Sequence, residues 1–303
     1  MRPLADAIRP TFSFKPQKLR DALGLDLTVV TETFQHTGSF KFRAAYNLAL
    51  NVPNGEILTA SSGNFGQALA YACKLLGKRA VVVMPSTSAQ VKIDAVRSYG
   101  ATVDLVDTAK IGRNLRVSQL AAEMPDAYVA SAYDDDFVID GNSSLGDELA
   151  ALGLDVVISP VGGGGLISGI SKGLCRYGSK AELFGAEPLL GNDAARSLRA
   201  GRIIPNETEP TATLADGART ISLGTRNWEI IKVGVAEIIE VSEERIIEAL
   251  RSYFRLANLK CEPTGALSLG ALIERREQFA GKRVGVVVSG GNVDPAIYSR
   301  LLA

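Results

Sequence analysis

Residues 37–47 read TGSFKFRAAYN and set a single lysine, Lys41, between Phe40 and Phe42 in a run that is otherwise small and apolar. Burial in such a wall disfavours an ammonium and favours the neutral amine. A neutral amine attacks carbonyls, so the chemistry to expect is that of a carbonyl cofactor. The same stretch also reads as an amphipathic helix whose lysine snorkels to water. Taken alone, it leaves both readings open.

Three glycine-bearing loops follow strand-like runs, the place where open α/β sheets bind ligands. In VGGGGLISG, residues 161–169, the glycines Gly162, Gly163, Gly164 and Gly165 precede Leu166 and a helical period. Converging backbone N–H groups ahead of a helix make a phosphate cradle; a tight turn without a ligand is the plainer alternative. A nucleotide P-loop would need Lys-Ser or Lys-Thr after its last glycine, where Leu166-Ile167 stands. A dinucleotide fingerprint would need a third glycine where Ile167 or Ser168 is found, but Glu187 closes the next strand at the distance expected of a ribose-binding acid. A nicotinamide cofactor therefore stays open as a minority reading. The loop TASSGNFGQALA offers Ser61, Ser62, Gly63 and Asn64, suited to a small carboxylate or phosphate, or merely to capping the helix that follows. The third, VVVSGGNVDP, offers Ser289, Gly290, Gly291 and Asn292. His36 is the only histidine, so a Ser-His-Asp apparatus would have to be built on it and a zinc site of several histidines is excluded.

The elements that must position these residues alternate. EILTA, SSGNFGQALAYACKLLG, RAVVVMP, SAQVKIDAVRSYG, ATVDLVD, NLRVSQLAAEM and AYVASAY read as strand, helix, strand, helix, strand, helix, strand. The alternation resumes at DVVISPV with GLISGISKGLCRYG, AELFGAEP, EIIEV, SEERIIEALRSYFRLAN and KRVGVVVSGG, interrupted by a long tract, RIIPNETEPTATLADGARTISLGTRNW, poor in either period. Right-handed crossovers over parallel sheets follow, so the fold class is α/β with two open twisted sheets. The acidic run Asp134, Asp135 and Asp136 near the crossing between them is expected to be a solvated turn.

The 303 residues suffice for a sizeable core, and 33 basic against 33 acidic residues give no field to draw nucleic acid or an anionic membrane. A small-molecule ligand is the better expectation. Cys73, Cys175 and Cys261 are widely spaced and odd in number, and no targeting or membrane-spanning run is evident, so a cytoplasmic protein in a reducing compartment is expected.

In order along the chain, TGSFKFRAAYN, SSGNFGQ, PVGGGGLISG, TLADGART, EPTGA and VVSGGNVD resemble the motifs of fold-type II pyridoxal phosphate enzymes, the tryptophan synthase β-like group, and within it the serine/threonine dehydratase and serine racemase family. The resemblance implies that Lys41 covalently holds pyridoxal 5'-phosphate. It further implies that Gly162, Gly163, Gly164, Gly165 and Leu166 cradle its phosphate, Phe40 packs on its ring, Asn64 meets the ring hydroxyl and Ser289 faces the pyridine nitrogen. Ser61, Ser62, Gly63 and Asn64 would clamp the substrate carboxylate, with Ser62 as a second base opposite Lys41. In GAEPLLGND, Glu187, Gly191 and Asp193 match the spacing of the racemase-like subgroup's divalent-cation site, pointing to Mg²⁺ or Ca²⁺.

The activity implied is elimination from a β-hydroxy amino acid to a 2-oxo acid and ammonia, with racemase activity on the side. A large cofactor-binding unit of residues 1–50 and 135–303, a small substrate-clamping unit of residues 51–134, and a homodimer are the expected organisation. Two departures stand out: Phe65 where many members have histidine, and Ser143-Ser144 in place of Gly-Thr in a loop close to the cofactor. The chain runs only briefly past SGGNVDP, so a C-terminal regulatory domain is not expected. A cysteine synthase type of β-replacement, a nicotinamide oxidoreductase and a catalytically silent ligand-binding protein are the competing readings.

Overall fold

A computed structural model describes residues 3–303 apart from Ser62, Ala89 and the side chain of Val91. The chain opens with helix α1 (Leu4–Ala7), strand β1 (Phe12–Phe14), helix α2 (Gln17–Leu23), strand β2 (Asp26–Thr31) and helix α3 (Lys41–Asn51). The expected alternation follows as β3 (Glu56–Ala60), α4 (Asn64–Leu76), β4 (Arg79–Pro85), α5 (Gln90–Ser98), β5 (Thr102–Val106), α6 (Arg113–Glu123) and β6 (Tyr128–Ala130). Then come α7 (Asp136–Ala150), β7 (Val156–Pro160), α8 (Gly165–Arg176), β8 (Glu182–Pro188), α9 (Asp193–Ala200), α10 (Thr225–Gly234) and β9 (Glu237–Val241). The chain closes with α11 (Glu243–Ala257), α12 (Pro263–Glu274), β10 (Arg283–Val288) and α13 (Pro295–Leu302).

Two sheets result, one of six strands in the order β1-β2-β10-β7-β8-β9 and one of four in the order β5-β4-β3-β6. All pairings are parallel except β1 with β2. Parallel strands are covered on both faces, which is why they read as continuous apolar runs. In β7, Val156 and Ile158 enter one core with Leu250 and Leu267, while Val157 enters another with Ile170 and Trp228. The four-stranded sheet is likewise faced on both sides, by α3 and α4 around Phe42, Phe65 and Val82, and by α6 around Leu58, Val83 and Val117.

The opening chain contributes β2, paired with β10 along its whole length from Asp26 to Thr31. Two segments differ from the sequence expectation. The acidic run is not a free turn: Asp135 is buried and caps α7 by accepting from Phe137 and Val138, and Asp134 accepts from the backbone of Thr225 and Arg226. Ser143 and Ser144 lie inside α7 rather than in a loop, bonding back to the carbonyls of Asp140 and Gly141. The loop expectation comes from the family resemblance, and glycine and serine, of low helix propensity, do not contradict it locally. Their real use is close approach: a β-carbon on Gly146 would strike the Ile170 carbonyl, and one on Gly173 the Ser143 carbonyl, so α7 and α8 pack almost backbone to backbone.

A buried ionic cluster anchors α3. Arg43, fully buried, donates to Glu32 at 2.7 and 3.0 Å, to Glu148 at 2.8 Å and to Ser144 at 3.0 Å, tying α3 to the end of β2 and to α7. Among the described residues no helix is long and apolar enough to cross a membrane.

Candidate active site

Lys41 is the first residue of α3, one position beyond a stitched junction between the sheets. The Phe40 N–H donates to the Ser289 carbonyl at 3.0 Å, the Gly291 N–H donates to the Gly38 carbonyl at 3.0 Å, and Ser39 pairs with Gly290. The helix beyond is packed on the four-stranded sheet, while its entry is fastened to the end of β10. Lys41 is thereby held in the cleft between them. Its Nζ donates to the Ala132 carbonyl at 2.7 Å and lies 4.9 Å from the Phe40 ring centre and 5.7 Å from that of Phe65. Burial pushes its pKa down to about 8, against the pull of the Glu262 carboxylate. Phe65, where a histidine is the commoner expectation, is buried and helps keep this wall dry.

The glycine loop lies one residue away through the 132–133 backbone, because the Tyr133 ring rests on Gly163. A β-carbon on Gly163 would run into that ring, one on Gly162 would lie 3.0 Å from the Ala218 Cα, and Gly164 has a φ of +94° that favours glycine. The loop is fastened from behind: the Gly163 carbonyl accepts from Asn227 Nδ2 at 2.9 Å and from the Gly224 N–H at 3.1 Å. Among the described residues no side chain caps the N-terminus of α8, so its leading N–H groups have no side-chain acceptor, which leaves them available to a phosphate. Leu166 is buried at the start of that helix.

The loop after β3 opens α4 with Asn64 at its first position and no side-chain cap on Gly63. Ser61 Oγ accepts from the Gly66 N–H at 3.0 Å and, more weakly, from the Gly63 N–H at 3.4 Å, which holds the loop at the helix start. Ser62 lies outside the described residues. Ser289 is buried, and its hydroxyl has no hydrogen-bond partner among the described residues. An orphaned hydroxyl on the residue whose carbonyl fastens the Phe40 N–H is a place for a ligand acceptor or donor.

Sequence reasoning gives no role to Glu262, although its EPTGA stretch is one of the family-like motifs. The structure puts its buried carboxylate against Asn64, whose Nδ2 donates to both oxygens at 2.9 and 3.1 Å. Burial, then the neighbouring Asp216, push Glu262 up to about 8, opposed by the Asn64 hydrogen bond. A glutamate just before a helix-opening proline reads as ordinary capping, so only the fold shows that it faces Asn64.

Glu187 and Asp193 are brought together apart from this cleft, behind the glycine loop. Glu187, at the end of β8, accepts from the N–H groups of Ala194 and Ala195 at 3.0 and 2.8 Å. Asp193 Oδ1 accepts from Asn206 at 3.0 Å, while its Oδ2 is buried without a partner among the described residues. Burial and the Asp193 charge raise Glu187 well above the carboxylate range, and burial pushes Asp193 up to about 7. Gly191, the third expected ligand, is buried in the turn between them and packs against Pro210.

His36 is half-buried against the rings of Phe42 and Tyr71, and burial lowers its pKa, with Arg9 adding to the effect. It takes no part in the cleft contacts described above.

The residues present therefore fit a phosphorylated aldehyde: a lysine of lowered basicity, a glycine loop at an uncapped helix start and an orphaned hydroxyl. The comparisons with known proteins agree. Residues 4–290 match the family model described as pyridoxal-phosphate dependent enzyme. The chain is 36% identical to an L-threo-3-hydroxyaspartate ammonia-lyase of Pseudomonas sp, over 95% of this chain and 92% of that protein. It is 36% identical to the serine racemase of Schizosaccharomyces pombe, over 90% of this chain and 85% of that protein. Among solved structures it superposes on the serine racemase from Dictyostelium discoideum with a TM-score of 0.88 and 32% identity, covering 96% of this chain and 95% of that one. Of the two cofactors that the glycine loop left open, these matches select the phosphorylated aldehyde, and the chain belongs to the family of pyridoxal-phosphate dependent enzymes.

Proposed function

We propose that the protein eliminates the β-hydroxyl of a hydroxy amino acid of the serine, threonine or 3-hydroxyaspartate class, giving a 2-oxo acid and ammonia. The observation that carries this reading is the Ser289 hydroxyl, buried and unpartnered among the described residues, at the junction that holds Lys41. A hydroxyl, unlike a carboxylate, does not keep a pyridine nitrogen protonated, so electron withdrawal by the ring is moderate and expulsion of a Cβ substituent is favoured over transamination. When bound, pyridoxal 5'-phosphate supplies the carbonyl for the substrate amine and the sink for charge at Cα.

The chain's own residues do the rest. Lys41, with a pKa of about 8, carries a free amine in about one molecule in ten at pH 7, against fewer than about one in a thousand for an ordinary lysine, and takes the Cα proton. Gly162, Gly163, Gly164, Gly165 and Leu166 hold the phosphate at the start of α8, Phe40 flanks the ring and Asn64 meets its hydroxyl. Ser61, Gly63 and Asn64 hold the substrate carboxylate at the start of α4. Ser62, outside the described residues, completes that clamp and is the second base that racemisation requires. The names of the hydroxyaspartate ammonia-lyase and serine racemase relatives support both the substrate class and the side activity.

A small clamping unit of residues 51–134 beside a large unit of residues 1–50 and 135–303 is part of this reading; the four-stranded sheet draws its strands from Glu56–Ala130, and α3 of the large unit shares its core. Glu187, the Gly191 carbonyl and Asp193 are proposed to hold Mg²⁺ or Ca²⁺. The support is a pair of buried carboxylates with one oxygen unmet, which calls for a proton or a cation. A homodimer is the working assembly, to be checked by light scattering.

The test is to load the purified protein with pyridoxal phosphate, trap it with borohydride, locate the adduct by peptide mass and assay 2-oxo acid release from both enantiomers of serine, threonine and 3-hydroxyaspartate. Attachment at Lys41 and release from one of these is expected. A protein that takes up no cofactor, or that loads yet releases no 2-oxo acid from any of them, overturns the proposal.

A further inference from the structure

The cleft contains a hydrogen-bonded line whose direction can be read without knowing any proton position. It starts at the Thr37 carbonyl, in a residue held at a φ of +59° immediately before the Gly38 that Asn292 packs against. A carbonyl only accepts, so the Asn292 side-chain atom 2.7 Å from it must be the amide nitrogen. That same nitrogen lies 2.9 Å from Asn64 and uses its second hydrogen there, so the Asn64 atom it meets must be the oxygen Oδ1. The other end of Asn64 is then Nδ2, a donor, and it faces Glu262 at 2.9 and 3.1 Å. Only an acceptor is tolerated at that end, and the buried Glu262 supplies one. The amide orientation of Asn64, which is ambiguous in isolation, is thus set from the Thr37 end, and Glu262, ionised or protonated, offers an acceptor oxygen to the Nδ2 that this leaves facing it.

We infer that Asn292 and Glu262 are positioning residues that lock Asn64 with its amide N–H, not its carbonyl, directed to the cofactor ring oxygen. The inference rests on the proposed function, in which Asn64 meets that oxygen. Asn64 Oδ1 is already engaged by Asn292, and since the two oxygens of one carboxyl group share a single Nδ2 hydrogen, the other hydrogen is left for the ring. Asn64 is therefore a donor toward the ring and favours the ionised ring oxygen over the protonated one. Reversal of the amide would present a carbonyl, which favours the protonated ring hydroxyl. The locking residues come from regions far apart in sequence: Thr37 before α3, Asn64 at the start of α4, Glu262 before α12 and Asn292 after β10. Gly290 completes the arrangement, since a β-carbon there would lie 2.7 Å from Glu262 Oε1.

The experiment uses the cofactor-loaded full chain and reads the ratio of its visible to its near-ultraviolet cofactor band, which reports the charge state of the ring oxygen, together with kcat and KM. Asn292→Asp turns the donor facing Thr37 and Asn64 into an acceptor and drives the Asn64 amide to reverse. Glu262→Leu removes the acceptor at the far end. Both are expected to move absorbance from the visible to the near-ultraviolet band and to lower kcat about tenfold or more, as loss of a buried positioned hydrogen bond does, with a smaller change in KM. Glu262→Gln keeps one acceptor oxygen and restores most of the visible band relative to Glu262→Leu. A merely structural role would lower the thermal midpoint of all three without altering the band ratio of the loaded fraction, and that result overturns the inference. Loaded Asn292→Asp and Glu262→Leu proteins with the wild-type ratio overturn it as well, leaving the proposed function standing. Failure of the wild-type chain to take up the cofactor overturns both together.

Discussion

Replacement of Lys41 by methionine in the cofactor-free protein makes a quantitative test of the dry wall around that lysine. Its pKa falls from 10.5 to about 8 through burial. At about 1.4 kcal/mol per unit, holding the ammonium in the folded state costs roughly 3 kcal/mol at neutral pH. Methionine removes that cost, but it leaves the Ala132 carbonyl, now accepting at 2.7 Å, without its donor, a loss of about 1–3 kcal/mol. Lys41→Met is thus expected to be more stable than wild type by about 1 kcal/mol at pH 7. The pH dependence is the sharper part. Between pH 8 and 10.5 the unfolded wild-type chain binds more protons at this lysine than the folded one, so wild-type stability rises with pH relative to the variant. The gap should close near pH 9 and reverse by pH 10.5 to a deficit of roughly 1–2 kcal/mol for the variant. Urea unfolding of both proteins across that range measures it. A gap that keeps its size and sign from pH 7 to 10.5 would show that Lys41 is solvated and that its proximity to Phe40 and Phe65 does not matter.

Other parts of the molecule yield narrower tests. Arg43→Ala strands the buried Glu32 carboxylate and should cost about 3–5 kcal/mol in urea unfolding, far more than Arg79→Ala at the exposed pair with Glu56. Gly163→Ala forces a methyl into the Tyr133 ring, so the loop must shift; pyridoxal phosphate retention after gel filtration should fall at least tenfold while the far-ultraviolet dichroism is kept. Millimolar Mg²⁺ or Ca²⁺ should raise the thermal midpoint of the wild-type protein, and Asp193→Asn, which removes the charge of the acceptor at Oδ2, should abolish that response. An equal rise in Asp193→Asn would place cation binding elsewhere.

Strand and helix alternation was legible because parallel strands buried on both faces must be apolar throughout, as in VVVMP and VGVVV, and such runs need no partner to be recognised. The glycine and serine positions were not legible in the same way. VGGGGLISG and DGNSSLGDE are both rich in glycine and serine, yet the first is a loop at a helix start and the second the interior of α7. Close backbone approach to α8 decides the second, and that contact joins residues about thirty apart. Asp135 reads as solvated because acidic runs usually are; its burial follows from the N-cap that α7 needs and from the Tyr128 hydroxyl that donates to it at 2.9 Å.

Composition and order along the chain fix which groups are available for chemistry: one lysine in an apolar run, three glycine loops behind strands and a single histidine too isolated for a triad. Those facts are local, because burial tendency and backbone freedom belong to residues. The charge state and direction of the same groups come from the folded arrangement. Lys41 is depressed to about 8 because the fold buries it where three separate segments, those of Phe40, Phe65 and Ala132, meet. Asn64 has a defined direction because Glu262 and Asn292, itself oriented by the Thr37 carbonyl, meet it, and both electrostatic shift and hydrogen-bond polarity depend on distances of a few ångströms between residues that the chain order keeps far apart.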